Sequence, residues 1–265
     1  MCRANRILEL GAGAGPVLGI DTGTPVAALG IAGGGRLSAW TPARMSTSHG
    51  SSLPKAIDEL LAVAKLSFEQ LAGIALGLGP GSFTGLRIGA AYAKGLAYAS
   101  GLPIVGVPSL DAMAACAMAN IETRVGATIC PILDARRGEV YSALYRVTDD
   151  GLEKITCDRV VKLADQRVGL AVEPILVGEG VGGFSSRLID EIGGWRKLVD
   201  LSRFGSRGPW VAALGAMRIA GGDLDRWEAI EPLYVRSPVM NFQAATVARE
   251  AQTGREALWS AGKRT

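Results

Sequence analysis

An α/β unit built twice in one chain is what this sequence predicts, and three observations predict it. Each half reads as three antiparallel strands followed by alternating helices and strands. The first strand of each half ends on an aspartate, Asp21 or Asp134, and the halves meet near residue 120. In a doubly wound parallel sheet, helices would separate every pair of strands, and here they do not.

Residues 1–16 end in Gly-Ala-Gly-Ala-Gly-Pro and read as an extension outside the fold. Val17–Asp21 is a short apolar strand, which Thr22-Gly23-Thr24-Pro25 turns into a second, Val26–Ala32. Gly33-Gly34-Gly35 is a hairpin signal before a third strand through Trp40. A helix over about 53–65 follows from Leu53, Ile57, Leu60, Leu61 and Ala64 at helical spacing, with Lys55, Asp58 and Glu59 on the other face. Ser51 and Ser52 stand in capping positions, Pro54 suits a first turn, and His49 falls on the preceding loop. Ile74–Leu78 reads as strand, about 84–100 as helix closed by Gly101, Ile104–Val107 as strand, and Ser109 to about Ala119 as helix.

In the second half, Ala127–Leu133 is a strand and the Arg136-Arg137-Gly138 turn feeds another over Glu139–Val147. Asp149-Asp150-Gly151 precedes a third near Glu153–Cys157. Weaker signals surround a strand at Pro174–Val177, and Pro209–Ala220 is the last helix. The division is then 17–120 and 121–236, flanked by the extension and by a tail over 237–265 that mixes basic and acidic residues.

At 265 residues, 48% hydrophobic and 20% charged, the chain has the balance of a soluble globular protein that needs no staple. Its net charge of +3 is too small to imply nucleic-acid binding by charge alone. Cys2, Cys116, Cys130 and Cys157 form no C-x-x-C pair, which argues against a zinc knuckle or redox pair and fits a reducing cytoplasm. No window approaches the ~20 apolar residues of a membrane span, and no signal-peptide run is present. A cytoplasmic location is the expectation.

Four constellations could carry chemistry. Asp21-Thr22-Gly23-Thr24, a carboxylate and small hydroxyls on a tight hairpin, is a shape that holds a metal–phosphate group, or simply a turn. Gly77 to Arg87 runs strand, glycine turn and helix start, a potential anion site without the Gly-Lys-Ser/Thr of a P-loop; Ser82 or Thr84 serves equally as a cap. Asp134-Ala-Arg-Arg-Gly-Glu mirrors Asp21, with Arg136 and Arg137 able to hold an anion or to form a charged surface hairpin. Gly178 to Gly183 lets a backbone approach a flat ring, or connects strand to helix. In the helix after the glycine turn, Gly85, Gly89, Ala93 and Ala97 fall four apart, so one face admits a close neighbour, either its own sheet or a partner. With His49 the only histidine, no two-histidine metal or catalytic site exists, and no G-x-S-x-G elbow is present.

Gly79-Pro-Gly-Ser-Phe-Thr-Gly-Leu-Arg-Ile-Gly, then Ala93-Lys-Gly-Leu-Ala, with Asp134-Ala-Arg-Arg-Gly-Glu-Val-Tyr, resembles the signatures of the TsaB (YeaZ) family. Ile20-Asp-Thr-Gly-Thr, Ser48-His49, Leu53-Pro54 and Pro232-Leu-Tyr-Val-Arg fit in matching order over roughly 17–236. The resemblance implies the actin–Hsp70–sugar-kinase (ASKHA, RNase H-like) fold, two βββαβαβα-type halves. It also implies a non-catalytic role beside the enzyme TsaD, with the ATPase TsaE and the threonylcarbamoyl-AMP synthase TsaC. The product is threonylcarbamoyladenosine next to the anticodon of tRNAs reading codons that begin with A, and tRNA is met through the complex.

TsaD holds its metal with two histidines that this chain lacks, which argues against catalysis and against the glycoprotease label such proteins have carried. The implied partner surface is the first two helices, self-associating when TsaD is absent: Leu53, Ile57, Leu60, Gly85, Arg87, Gly89, Ala93, Lys94 and Ala97. Asp21, Thr22, Gly23 and Asp134 would be remnants of phosphate loops, and ATP or ADP at the partner interface is the one cofactor left open. The runner-up is an active nucleotide-dependent kinase of the same superfold.

Overall fold

Strand β1 (Val17–Asp21) is buried along its whole length, and the first sheet grows outward from it. It pairs antiparallel with β2 (Val26–Gly33) and parallel with β4 (Gly73–Gly77). With β3 (Arg36–Arg44) and β5 (Ile104–Val107) the order is β3-β2-β1-β4-β5. Between the strands lie α1 (His49–Ala64), α2 (Phe83–Ser100) and α3 (Ser109–Asn120). The computed structural model describes residues 7–9, 11–44, 49–162, 174–179 and 198–235.

The second sheet repeats the pattern. β6 (Thr128–Arg136) pairs antiparallel with β7 (Glu139–Ser142), which pairs with β10 (Arg159–Lys162), while β11 (Ile175–Gly178) and β12 (Leu198–Asp200) add on in parallel. Helix α4 (Gly208–Ala220) follows. The strand expected over Glu139–Val147 is broken into β7 and β8 (Tyr145–Val147), because Ala143 and Leu144 are buried in succession and interrupt the alternation of a strand. Leu144 bonds instead to the segment just before β10, its amide donating to Thr156 Oγ1 (2.9 Å) and its carbonyl accepting from Ile155 (2.7 Å). The third strand, expected near Glu153–Cys157, is the shorter β9 (Leu152–Lys154), and β10 follows it as a separate strand.

Three expectations are corrected at the N-terminal side. Residues 7–9 and 11–16 belong to the fold: Ile7 and Ala14 are buried in the core, and Gly34 donates to Ala14 O at 3.0 Å. The small residues that suggested a loose segment let it lie flat on α4. Helix α1 starts at His49, so Ser51 and Ser52 are inside it and Pro54 lies past its first turn. A polar first turn leaves no apolar periodicity to announce it. Strand β3 runs on to Arg44.

The halves are interleaved. α4, last in the chain, packs on β1, β2 and β4 of the first sheet, while α3 packs on β6 and β11 of the second. One core cluster joins Val17, Ala75 and Val105 to Ile129, Val177 and Trp210; another fills the layer between the first sheet and α1 and α2. Residues 1–235 accordingly form one unit, with the tail outside the described residues. Among the described residues no helix is long and apolar enough to cross a membrane.

Contact between α4 and β2 is possible only because Gly30 has no side chain: a Cβ there would overlap the backbone of Pro209. Gly30→Ala is therefore expected to lower stability by about 3 kcal/mol through overpacking, read as a lower urea midpoint at unchanged slope.

Candidate functional site

Asp21 is fully buried at the end of β1, and three groups from separate parts of the chain bond to its carboxylate. Its Oδ1 accepts from Gly23 N (2.9 Å) and from Arg207 Nη2 (2.9 Å), and its Oδ2 from Ser109 Oγ (2.5 Å). Burial would raise the pKa of Asp21, but the charge and hydrogen bond of Arg207, the Ser109 hydroxyl and the Gly23 amide together hold it below the usual carboxylate range. Arg207, just before α4, continues the network to Glu179 through its Nη1 and through its amide (3.0 Å to Oε1). Burial pulls the guanidinium down, yet the two carboxylates outweigh it and keep it charged.

Both glycine-rich constellations are closed onto each other. Ser82 N donates to Gly23 O at 2.7 Å, Thr22 Oγ1 donates to Gly85 O at 2.8 Å, and Gly79 N donates to Ser109 Oγ at 3.1 Å. Ser82 also caps α2, accepting from Gly85 N. Hairpin and helix start thus consume donors that an anion would use. Asp134 behaves like the turn residue it resembles: its Oδ1 accepts from Arg136 N at 2.7 Å. Arg136 and Arg137 both have positive φ, 67° and 59°, which side-chain-bearing residues seldom adopt. Of the third glycine run only Gly178 and Glu179 are described, and Gly180–Gly183 lie outside the described residues, as does the side chain of His49.

The partner-facing set is corrected. Leu53, Ile57 and Leu60 are buried against the chain's own sheet, as are Ala93 and Ala97, because the apolar faces of α1 and α2 cover β1–β5. Gly89 is pressed on Thr22, where a Cβ would overlap Oγ1, and Gly85 meets the Thr22 carbonyl in the same way. Arg87 and Lys94 lie on the rim, but they hold the chain's own C-terminal strap: Arg87 Nε donates to Tyr234 Oη (3.2 Å) and Lys94 to Glu228 O (3.3 Å). Phe83 stacks on Tyr234 and Tyr98 on Trp227. Sequence reasoning missed Arg207 and Ser109, and it placed no charge partner on Glu179. Nothing local marks them, since they meet Asp21 only through the tertiary fold. The buried thiols are inert, burial pushing Cys116 to about 12 and Cys130 to about 11.

Two interleaved halves of this topology, meeting where β1 ends on the buried Asp21, define an actin-like α/β protein. The family model for TsaD, tRNA N6-adenosine threonylcarbamoyltransferase, matches residues 40–179. The Escherichia coli tRNA threonylcarbamoyladenosine biosynthesis protein TsaB is 31% identical over 188 residues, 71% of this chain and 75% of that protein. The Bacillus subtilis protein of the same name is 37% identical, but over 121 residues only, so the match spans about half the length of each chain. A Pseudomonas aeruginosa structure described as similar to peptidase YeaZ superposes with a TM-score of 0.65 at 25% identity, covering 84% of this chain and all of that one. This chain belongs to the TsaB (YeaZ) family.

A depressed Asp21 makes folding favour the ionised form, so its contribution is full above the unfolded value of about 3.9 and is lost as pH falls through the folded value. Asp21→Asn is expected to lose roughly 3–5 kcal/mol at neutral pH by stranding Arg207. It should also flatten the acid limb of stability, measured by denaturant midpoints from neutral pH downward.

Proposed function

We propose that the chain is the non-catalytic partner of TsaD in forming N6-threonylcarbamoyladenosine next to the anticodon of tRNAs that read codons beginning with A. One observation carries this reading: the side chains around Asp21 are bonded to one another, while the outer face of α1 and α2 carries, beside Lys55, Asp58 and Glu59, a run of small and apolar groups. Ala62, Val63, Ala91, Gly95, Tyr98 and Ala99 are exposed there. Ala91, Gly95 and Ala99 recur every four residues, spacing that lets a second helix lie close. A Cβ on Gly95 would meet nothing within 4 Å, so the space beside it is open and has room for a neighbouring helix.

TsaD docks its helices on this face in a bundle, TsaE joins the pair, and tRNA is met through the complex. The same face closes a homodimer when TsaD is absent, and ATP or ADP at the seam belongs to the same reading. The names of the Escherichia coli and Bacillus subtilis relatives support it. A metallopeptidase has no support from a sequence with one histidine and, among the described residues, no grouping of three His, Cys, Asp or Glu.

Mixing the purified chain with TsaD, TsaE, threonylcarbamoyl-AMP and unmodified tRNA should yield the modified base, and leaving out either the chain or TsaD should yield none. Full-rate modification without the chain sinks the proposal. Gly95→Leu should fold at least as well as the parent, since leucine gains roughly 0.5–1 kcal/mol over glycine in an exposed helix. It should nevertheless bind TsaD about tenfold or more weakly in a pull-down titration; unchanged binding rejects this face.

A further inference from the structure

Arg207 stands between carboxylates from different halves of the chain, Asp21 at the end of β1 and Glu179 just after β11. Its side chain is 2% exposed. Nη2 bridges Asp21 and Thr24 Oγ1 (2.9 and 3.1 Å), and Nη1 meets Glu179. A metal-bound phosphate at the Asp21 hairpin, for which the motif is shaped, does not fit the residues present. Both Asp21 oxygens are engaged, Gly23 O accepts from Ser82, and Thr24 Oγ1 is shared between Arg207 and Val26 O. A further cation entering this spot would have to expel a guanidinium held by three acceptors.

We propose that Arg207 is a tethered counter-cation: it fills the position between Asp21 and Glu179 that a divalent ion would take, and it pins the two halves together where they meet. A planar fork suits the task, because it reaches two carboxylates at once, where an ammonium reaches one. Being part of the chain, it is never released. The Asp21 site then admits no metal–nucleotide, whether or not the chain pairs with TsaD.

The test compares the full chain with Arg207→Ala and with the double variant Arg207→Ala, Asp21→Asn, using manganese chloride and then magnesium–ATP as probes. Wild-type melting should not respond to millimolar manganese, and calorimetry should find no saturable magnesium–ATP binding that depends on Asp21. Arg207→Ala should melt lower and recover by at least about 2–4 °C in manganese, as expected for an ion that binds only the folded state. The double variant should show no recovery. Saturable nucleotide binding by the wild type that Asp21→Asn abolishes overturns the proposal, and so does a folded Arg207→Ala indifferent to manganese. Should the alanine variant not fold, Arg207→Lys is read by the same manganese criterion; if neither folds, the wild-type nucleotide titration decides.

Discussion

A guanidinium and two carboxylates withdrawn from water set the terms for the rest of this structure. Taking such charges into a protein interior is unfavourable unless each finds hydrogen-bonding partners in good geometry. Meeting that condition recruits the neighbourhood: Ser109 from the start of α3, the Gly23 amide from the hairpin, and Thr24. The ends of β1 and β11, and the starts of α3 and α4, therefore converge on one point. Packing of the two sheets around that point follows from the same demand.

Helix α2 relates this interior to the surface. Its inner side is keyed to the hairpin by Gly85 and Gly89 against Thr22, the residue next to Asp21, and its outer side carries the Ala91, Gly95, Ala99 row. A helix fitted this closely to backbone has little freedom to tilt. Along its flank the strap ending near Tyr234 restrains it again, with Ile230 buried in the core and Leu233 donating to Leu78 O. The surface on which a partner helix would rest is thus held in one posture by contacts made entirely within the chain.

Much of the architecture was legible because strands and helices announce themselves locally. Alternation, glycine hairpins and the Leu53, Ile57, Leu60 spacing gave the elements of both halves, and the paired aspartates gave the duplication. The polar first turn of α1 and the break at Ala143-Leu144 were not, since neither changes a local period in a way that composition reports. For the site, the residues on one side of each contact were visible and those on the other were not. Four-residue spacing of small residues says that something comes close to α2; that it is Thr22, far away in sequence, depends on the fold. Asp21 was found by its motif, whereas Arg207 sits in an unremarkable turn before a helix and acquires meaning only when α4 crosses to the first sheet.

That crossing has a consequence for biosynthesis. On a growing chain the first sheet is complete once Val107 has emerged, yet the helix that covers its inner face begins at Gly208, roughly a hundred residues later. Until then the apolar side chains of Val17, Ala75 and Val105 have no lid, and a ribosome-bound fragment ending near residue 120 is a sheet clothed on one side. Such an intermediate is a natural client for a holdase chaperone, and dividing the gene at its internal symmetry would separate two pieces that each lack the other's closing helix.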